Sequence, residues 1–390
     1  MNLDCNWVSC FLVTGLLFDC PVRKLGVSPG LQVQNRGYSG LFVKLSVFCN
    51  GIVMKQQVIA FAVSLACLGA HAEGQVNIIC SVQAEQCNLV QTVFAKSTGI
   101  KVNLTHKAAG EAMAQLSAER ANPKTDLWYG GTGDPHMQAA EMGLTMAYKS
   151  ASLPQLRDWA QQQAEQTGYK TVGIYSGPLG ISYNTEAMAK KKLQPPKCWA
   201  DLLDPKWKGE IQAPNPNTSG TAYVQIATLV QLMGEEKAFD YLKALHKNIS
   251  QYTRSGAAPV KNAARGENLI GVAFAHEAPV EAANGFPVVS NTPCEGTGAE
   301  IGSMSLIAGA RNLPEAKRFY EWALTPAAQE LGVAAKQFQL PSNKAAKLDE
   351  RMPDFAKAKM IKYDYAKYGS SAERKRLIGR WEKEVNSLPR

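Results

Sequence analysis

The chain has 390 residues, of which 42 are basic and 33 acidic, so its formal net charge is +9 at neutral pH. This length allows two domains of ordinary size, and the composition is that of a globular protein without low-complexity tracts. The basic residues are scattered, which argues against a nucleic-acid-binding surface. The positive balance suits an anionic ligand, although many solvated surfaces carry a similar charge.

An export signal lies near the start of the chain, but not at it. A positively charged start at 54–55 precedes an apolar run over 58–68, and a small-x-small cleavage site follows at 70–72. These are the parts of a secretory signal peptide, and the run is too short to span a bilayer. The sequence therefore predicts a signal peptide at 54–72, export to the periplasm, and a start-site extension at 1–53 that is disordered or non-native. A buried core helix is the alternative for the apolar run.

The cysteines support this division of the chain. Nine occur in all, and only Cys80, Cys87, Cys198 and Cys294 lie beyond the predicted signal peptide. An even number in a chain bound for an oxidising compartment predicts disulfides, and we favour Cys80–Cys87 and Cys198–Cys294 among the three possible pairings. A zinc site is the weaker alternative, because no C-x2-C spacing and no paired histidines occur. We expect no cofactor.

The elements beyond the signal peptide form two α/β units. The first alternates strand and helix as βαβαβ, which predicts a parallel sheet covered by helices. A long extended segment then leads to the second unit. Two units joined in this way predict two lobes with a hinge, the first from 73–180 plus 300–390 and the second from 181–299. The predicted strands are 76–80, 100–104, 126–129, 172–183, 210–213, 249–253, 269–274 and 303–308. The predicted helices are one that ends at Gly99, then 110–120, 156–165, 221–233, 237–247, 259–265, 314–324, 326–336 and 371–385.

Three strand-to-helix junctions carry small and hydroxyl residues. Ligands of open parallel sheets bind beyond the carboxyl ends of the strands, where the free N–H groups of a helix N-terminus favour an anion. An ordinary helix cap is the alternative at each junction. The candidate ligand-binding residues at these junctions are Gly110, Glu111, Thr218, Ser219, Gly220, Thr221, Arg254, Ser255 and Gly256.

Further candidates come from a glycine-rich loop and from a histidine–carboxylate pair. The loop at 128–134 follows a strand, but it matches neither a P-loop nor a dinucleotide fingerprint. Its two aromatic residues could stack on a ligand or line the core. The pair at 276–277 ends a strand and is a candidate for ligand binding, with a structural histidine as the alternative. The candidate ligand-binding residues outside the three junctions are Ser81, Gln83, Trp128, Tyr129, Gly131, Thr132, Tyr175, His276 and Glu277.

The sequence gives no support for an enzyme. It has no G-x-S-x-G nucleophile elbow and no H-E-x-x-H motif, and the cysteines are predicted to form disulfides. The pair at 276–277 could act as acid and base, but no partner nucleophile is evident.

Several motifs together resemble one known family. They include D-L-W-Y-G-G at 126–131, W-x-D-L-x-D-P-x-W-K-G at 199–209 and P-N-P-N-T-S-G-T at 214–221. The chain is similar in these motifs, over essentially all of 73–390, to the ferric-iron-type (family 1/6) periplasmic solute-binding proteins of ABC importers. The resemblance implies a type II, venus-flytrap α/β fold of two lobes. It also implies delivery of a ligand to an inner-membrane permease and ATPase by a monomeric receptor.

One departure from that family concerns the ligand. Iron-binding members carry adjacent tyrosines where this chain has His276 and Glu277, so the resemblance transfers fold and transport role better than ferric binding. Members with a histidine–acid pair here resemble binders of phosphorylated sugars and related organic anions. That resemblance implies a phosphate at the helix N-termini, with His276, Glu277 and Glu295 on hydroxyl groups. The alternatives are a ferric-ion receptor using Tyr129, Tyr175 or Glu277, and a sensor or enzyme on the same fold.

Overall fold

The computed structural model describes residues 6–11, 17–22 and 74–390. The first two ranges are strands β1 (Asn6–Phe11) and β2 (Leu17–Val22), which pair antiparallel with each other. The rest of the predicted start-site extension and the predicted signal peptide at 54–72 lie outside the described residues. Among the residues that are described, no helix has the length and apolar character needed to cross a membrane.

Residues 74–390 form strands and helices in alternation, close to the predicted order. The first long helix ends where the sequence predicts, because Gly99 takes a left-handed conformation (φ 72°) that caps the helix C-terminus. The strands are β3 (Gln75–Cys80), β4 (Lys101–His106), β5 (Leu127–Thr132), β6 (Val172–Asn184), β7 (Ile211–Pro214), β8 (Ile249–Thr253), β9 (Ile270–Phe274), β10 (Val288–Asn291), β11 (Ala299–Leu306) and β12 (Leu340–Pro341). The helices are α1 (Ala84–Thr98), α2 (Ala109–Ala118), α3 (Gly133–Glu141), α4 (Asp158–Gln166), α5 (Thr185–Lys190), α6 (Gly220–Met233), α7 (Glu235–His246), α8 (Ala258–Ala264), α9 (Glu277–Ala282), α10 (Leu313–Ala323), α11 (Pro326–Ala334), α12 (Tyr365–Tyr368) and α13 (Ser371–Trp381). Shorter helical turns occupy Leu153–Gln155, Ala200–Leu203, Pro205–Trp207 and Glu382–Asn386.

The strands build two sheet halves that share β6. In the first half, β3 pairs parallel with β4 and β5, and β11 lies antiparallel between β5 and β6. In the second half, β7 pairs parallel with β8 and β9, and β6 pairs antiparallel with β9 and β10. The thirteen residues of β6 thus run from one half into the other. We call the first half with its helices lobe 1 and the second lobe 2; this is the predicted two-lobed α/β fold.

Each lobe has its own hydrophobic core. The lobe 1 core gathers the strands β3, β5 and β11 around Phe94, Phe319 and the first part of β6. The lobe 2 core gathers β7 and β9 around three fully buried aromatic side chains, Trp199, Trp207 and Phe239. Apolar burial of this extent in two separate clusters is what holds each lobe together.

The C-terminal helices pack on lobe 2, although the sequence assigned them to lobe 1. Tyr363, Leu377, Trp381 and Val385 are buried in the lobe 2 core, whereas the sequence places all of 300–390 in lobe 1. The apolar pattern of an amphipathic helix shows which face is buried but not which surface covers it. The chain therefore returns to lobe 2 after α11, instead of ending on lobe 1.

The structure contains both predicted disulfides. One joins Cys80, the last residue of β3, to Cys87 in the first turns of α1. The other joins Cys198 to Cys294, which are separated by 96 positions in lobe 2. The first disulfide closes a short loop and the second a long one.

Candidate functional site

A cleft of about 270 Å³ lies where strand ends and helix N-termini of both lobes meet. Strands β3, β4 and β5 of lobe 1 and β8 and β9 of lobe 2 all point their carboxyl ends at it. This is the position expected for a ligand site in open parallel sheets. The predicted ligand-binding residues that line the cleft are Ser81, Gln83, Glu111, Gly131, Thr132, Tyr175, Gly220, Thr221, Arg254, Ser255, Gly256, His276 and Glu277.

One end of the cleft consists of small and hydroxyl residues from both lobes. We call it the small-residue end; it comprises Gly131, Thr132, Gly220, Thr221 and Gly256. A Cβ atom on Gly220 would overlap the Thr132 hydroxyl, and one on Gly256 would overlap the Thr221 hydroxyl. Glycine is therefore needed at position 220 for the two lobes to approach this closely, and at position 256 for the loop after β8 to pack on α6 within lobe 2. The Thr132 Oγ1 atom is buried and has no hydrogen-bond partner among the described residues.

Helix N-termini converge on the cleft without side-chain caps. The helices α1, α2, α3, α6, α8 and α9 all begin at residues that line it, and none has a side-chain cap hydrogen bond within the described part of the chain. Helices that do have such caps, α5, α11, α12 and α13, begin elsewhere. The first N–H groups of a helix have no partner inside the helix, so those of these uncapped helices are available to an anion.

The other end carries two carboxyl groups around a histidine. We call it the carboxylate end; it comprises Gln83, His276, Glu277 and Glu300. The His276 Nε2 atom lies 3.6 Å from a carboxylate oxygen of Glu277 and 3.6 Å from one of Glu300. The amide nitrogen of Gln83, from lobe 1, donates hydrogen bonds of 2.7 and 2.8 Å to the two carboxylate oxygens of Glu277, from lobe 2.

Burial sets the charges of the carboxylate end. It lowers the pKa of His276 to about 3, so the imidazole is neutral at neutral pH. Burial likewise raises the pKa of Glu277 to about 7, and burial together with the neighbouring Glu277 raises the pKa of Glu300 well above its usual range. None of the four residues that define this end is a cation at neutral pH, and their carboxyl oxygens and the neutral imidazole can exchange hydrogen bonds with ligand hydroxyls.

At the mouth of the cleft, Arg254 of lobe 2 forms an ion pair with Glu111 of lobe 1. The Arg254 side chain is 77% exposed, so the pair contributes little to stability. Lys107 also lines the cleft, next to the N-terminus of α2. The cationic residues that line the cleft, Lys107 and Arg254, thus lie in the loops that lead into α2 and α8.

The two predicted stacking aromatics lie outside the cleft. Trp128 is fully buried, stacks on His136 at 3.6 Å and donates from Nε1 to Ser81 Oγ. Tyr129 is buried against Phe319. Successive residues of β5 point to opposite faces of the lobe 1 sheet, and both faces are covered by other parts of the protein. Both rings therefore pack in the core, which was the alternative to stacking on a ligand.

Other predicted candidates also lie off the cleft. Gly110 faces the backbone of Thr218 from the opposite lobe, and the Thr218 hydroxyl donates to the Arg254 carbonyl. Ser219 is buried beside Gly256. The Glu295 carboxylate accepts hydrogen bonds from the backbone N–H groups of Trp199 and Ala200, which commits it to the start of a helical turn beside the Cys198–Cys294 disulfide. It is therefore not placed to take a ligand hydroxyl.

Some lining residues were not predicted. His106 is the last residue of β4 and Lys107 follows it, directly before the junction at 108–111 that was singled out, so extending that junction by two residues would have found them. Glu300 and Gln339 carried no usable sequence signal, because one lies in a buried strand and the other in the loop after α11. The lining residues outside the predicted ligand-binding set are Val82, His106, Lys107, Ala108, Ala109, Ala257, Phe274, Glu300 and Gln339, of which Ala108, Ala109 and Ala257 belong to the junctions that the sequence singled out.

The alternative iron ligands are poorly arranged for a metal. Tyr129 does not line the cleft, and Tyr175 is buried with its phenol oxygen accepting a hydrogen bond from the Gly131 N–H. Burial and the nearby Glu300 raise the pKa of Tyr175 well above its usual value, which disfavours the phenolate that a ferric ion needs. Among the described residues, the one group with metal-ligand spacing is Cys198, Cys294 and Glu295, and its sulfurs are joined in the disulfide.

Comparison with known proteins decides the family. The model of the bacterial extracellular solute-binding proteins matches residues 122–368. The chain belongs to this family. The periplasmic binding protein AfuA from Actinobacillus pleuropneumoniae, solved with exogenous fructose-6-phosphate bound, is 43% identical, with 81% of this chain and 100% of AfuA covered and a TM-score of 0.79. The periplasmic binding protein P5PA is 38% identical over 80% of this chain and 100% of its own, with a TM-score of 0.78.

Ferric-binding relatives are more distant. Iron-bound HitA from Pseudomonas aeruginosa is 21% identical, with 78% of this chain and 98% of HitA covered and a TM-score of 0.67. At that identity the likeness shows the fold alone. The comparisons thus agree with the two-lobed fold.

Proposed function

We propose that this solute-binding protein captures a phosphorylated sugar or a related small organic anion between its lobes. The observation that carries the proposal is a cleft with opposite chemistry at its two ends. The small-residue end includes the starts of α3 and α6, and the first N–H groups of a helix, which have no partner inside it, suit a phosphate. The carboxylate end offers neutral His276 between Glu277 and Glu300, which suits hydroxyl donors.

This arrangement also orients the ligand. A phosphate at the carboxylate end would meet two carboxyl groups and an uncharged imidazole, whereas at the other end it meets N–H groups, hydroxyls and the nearby Lys107 and Arg254. The sugar hydroxyls therefore point toward Gln83 and His276. Fructose-6-phosphate bound to AfuA supports this ligand class. No specific observation favours a ferric ion.

We also propose that the protein is a receptor and not an enzyme. The mature chain starts near Glu73 after export to the periplasm, and it delivers its ligand as a monomer to an inner-membrane ABC permease and ATPase. Intact-mass measurement of the exported product tests the start site, and an N-terminus well upstream of Glu73 would contradict it. Recovery of chemically altered sugar phosphate after long incubation with the protein would contradict the receptor role.

Isothermal calorimetry tests the ligand class. We expect fructose 6-phosphate to bind with a Kd in the micromolar range or below, inorganic phosphate to bind more weakly, and fructose to give no measurable heat. Ferric citrate provides the competing arm, since phenolate coordination would colour the protein. Failure of fructose 6-phosphate to bind, together with coloured iron loading, would replace this proposal with the ferric one.

Delivery needs a separate test in cells. Deletion of the gene should abolish uptake of labelled sugar phosphate by the host, and expression of the chain from a plasmid should restore it. Uptake that is unchanged by the deletion would contradict the transport role.

A further inference from the structure

The Cys80–Cys87 disulfide encloses the loop that presents Ser81 and Gln83 to the cleft. Strand β3 ends at Cys80 and helix α1 begins at Ala84, so the loop between them has three residues. Both half-cystines are buried, with at most 1% of either side chain exposed. The buried disulfide thus joins the first turns of α1 to the end of β3, behind the loop as seen from the cleft.

The loop rests on the backbone of β5. The Ser81 N–H donates to the Tyr129 carbonyl at 2.9 Å. A Cβ atom on Gly130 would overlap the Val82 side chain, and one on Gly131 would press on Ser81. Both glycines have positive φ angles, 76° and 88°, that other residues rarely adopt. The backbone of β5 therefore supports the loop at Ser81 and Val82, whereas these contacts do not extend to Gln83 at the junction with α1.

That junction lacks the usual helix cap. Gln83 is the N-cap residue of α1, but its side chain makes no cap hydrogen bond among the described residues. It reaches across the cleft instead, where its amide nitrogen donates to both carboxylate oxygens of Glu277. An N-cap side chain normally fixes the first turn of its helix, and here that side chain is engaged with the other lobe.

We propose that the Cys80–Cys87 disulfide takes over this fixing role, and so positions Gln83 to recognise the part of the ligand that is not phosphate. The disulfide holds the first turns of α1 against β3, which leaves the Gln83 amide free to face Glu277 and the ligand hydroxyls. Cys80 and Cys87 act through Gln83 and do not themselves touch the ligand. This inference rests on the proposed function for its ligand, but not for its geometry.

The test compares two double variants by calorimetry. In Cys80→Ala/Cys87→Ala we expect the Kd for fructose 6-phosphate to rise about tenfold, the value of one lost hydrogen bond, while the Kd for inorganic phosphate stays within about twofold. The control is Cys198→Ala/Cys294→Ala, which opens the longer loop. It should lower the Tm more, because a longer closed loop restrains the unfolded chain more, and yet leave both Kd values unchanged.

A third variant separates positioning from general loosening. Gln83→Ala alone should raise the Kd for fructose 6-phosphate about as much as loss of the disulfide does, and adding it to Cys80→Ala/Cys87→Ala should cause little further change. The inference would be overturned if the losses of binding free energy in Gln83→Ala and in Cys80→Ala/Cys87→Ala added up in the combined variant. It would also be overturned if loss of the disulfide weakened the binding of inorganic phosphate as much as that of fructose 6-phosphate.

A ligand-free measurement keeps this inference distinct from the proposed function. Hydrogen exchange at amides 81–87 should accelerate in Cys80→Ala/Cys87→Ala and stay at the wild-type rate in the control variant. If the wild-type protein does not bind fructose 6-phosphate, the proposed function fails while this readout still decides the positioning role. Unchanged exchange at 81–87 would overturn the inference whatever the ligand.

Discussion

Replacing Glu277 with glutamine should stabilise the protein at neutral and alkaline pH while weakening ligand binding. Burial raises the pKa of Glu277 from its ordinary value of 4.5 to about 7. Between these values the folded protein keeps a proton that the unfolded chain releases. The resulting stabilisation is complete below the unfolded pKa and is lost as the pH rises through 7. Since one pKa unit corresponds to 1.36 kcal/mol, the loss is about 3 kcal/mol.

Glu277→Gln removes this loss because an amide does not ionise. Its oxygen can still accept from Gln83, so the contact between the lobes is partly preserved. Urea unfolding at pH 4.5 and pH 8 measures the effect, and we expect the stability difference between variant and wild type to grow by about 3 kcal/mol in favour of the variant. Taking the difference removes the contribution of His276, whose pKa is lowered and whose stabilisation is instead lost on acidification.

The matched control is Glu267→Gln, which removes the same charge from an exposed position. It should leave the pH dependence of unfolding as in the wild type. If Glu277→Gln also leaves that dependence unchanged, Glu277 does not carry the burial cost that we assign to it. A gain in stability at pH 8 with a raised Kd for fructose 6-phosphate would show that this carboxyl is kept for binding at the expense of stability.

Two further substitutions test the rest of the cleft. Gly220→Ala brings a methyl group against the Thr132 hydroxyl, so it should keep the lobes apart and weaken fructose 6-phosphate binding about a hundredfold, as measured by calorimetry. The control is Gly379→Ala, because a methyl group at that position meets open space. Equal affinities in the two alanine variants would refute the close approach. Glu111→Gln frees Arg254 from its ion pair, so it should tighten fructose 6-phosphate binding about two- to fivefold at low salt; no change, or weaker binding, would exclude Arg254 as a contributor.

Much of the fold was predictable because local patterns dictate it. Gly99 stops α1, and the alternation of strand and helix across 76–129 allows only a parallel sheet with helices on its faces. The small α9 helix and strand β10 were missed, since each is too short to show a period. The C-terminal helices were assigned to the wrong neighbour, because periodicity identifies a buried face and not its partner.

The candidate site was predictable where chemistry and chain position coincide. Gly220, Thr221 and His276 all follow the carboxyl end of a strand, and all line the cleft. Trp128 was assigned to a loop after a strand, but β5 continues to Thr132, so Trp128 lies within the strand and its side chain is buried in the core. Glu300 belongs to the cleft although nothing in its sequence context indicates this.

The sequence by itself indicated which strand-to-helix junctions could bind an anion, and its motif resemblance implies that His276 and Glu277 replace the tyrosine pair of iron-binding members. These are properties of residue type and spacing, which need no third dimension. Only the tertiary structure decided that Gln83 of one lobe meets Glu277 of the other, and that Glu300 approaches the same His276 Nε2 atom as Glu277. Those contacts join residues far apart in the chain, and burial between two lobes, which no local pattern encodes, is what shifts their pKa values.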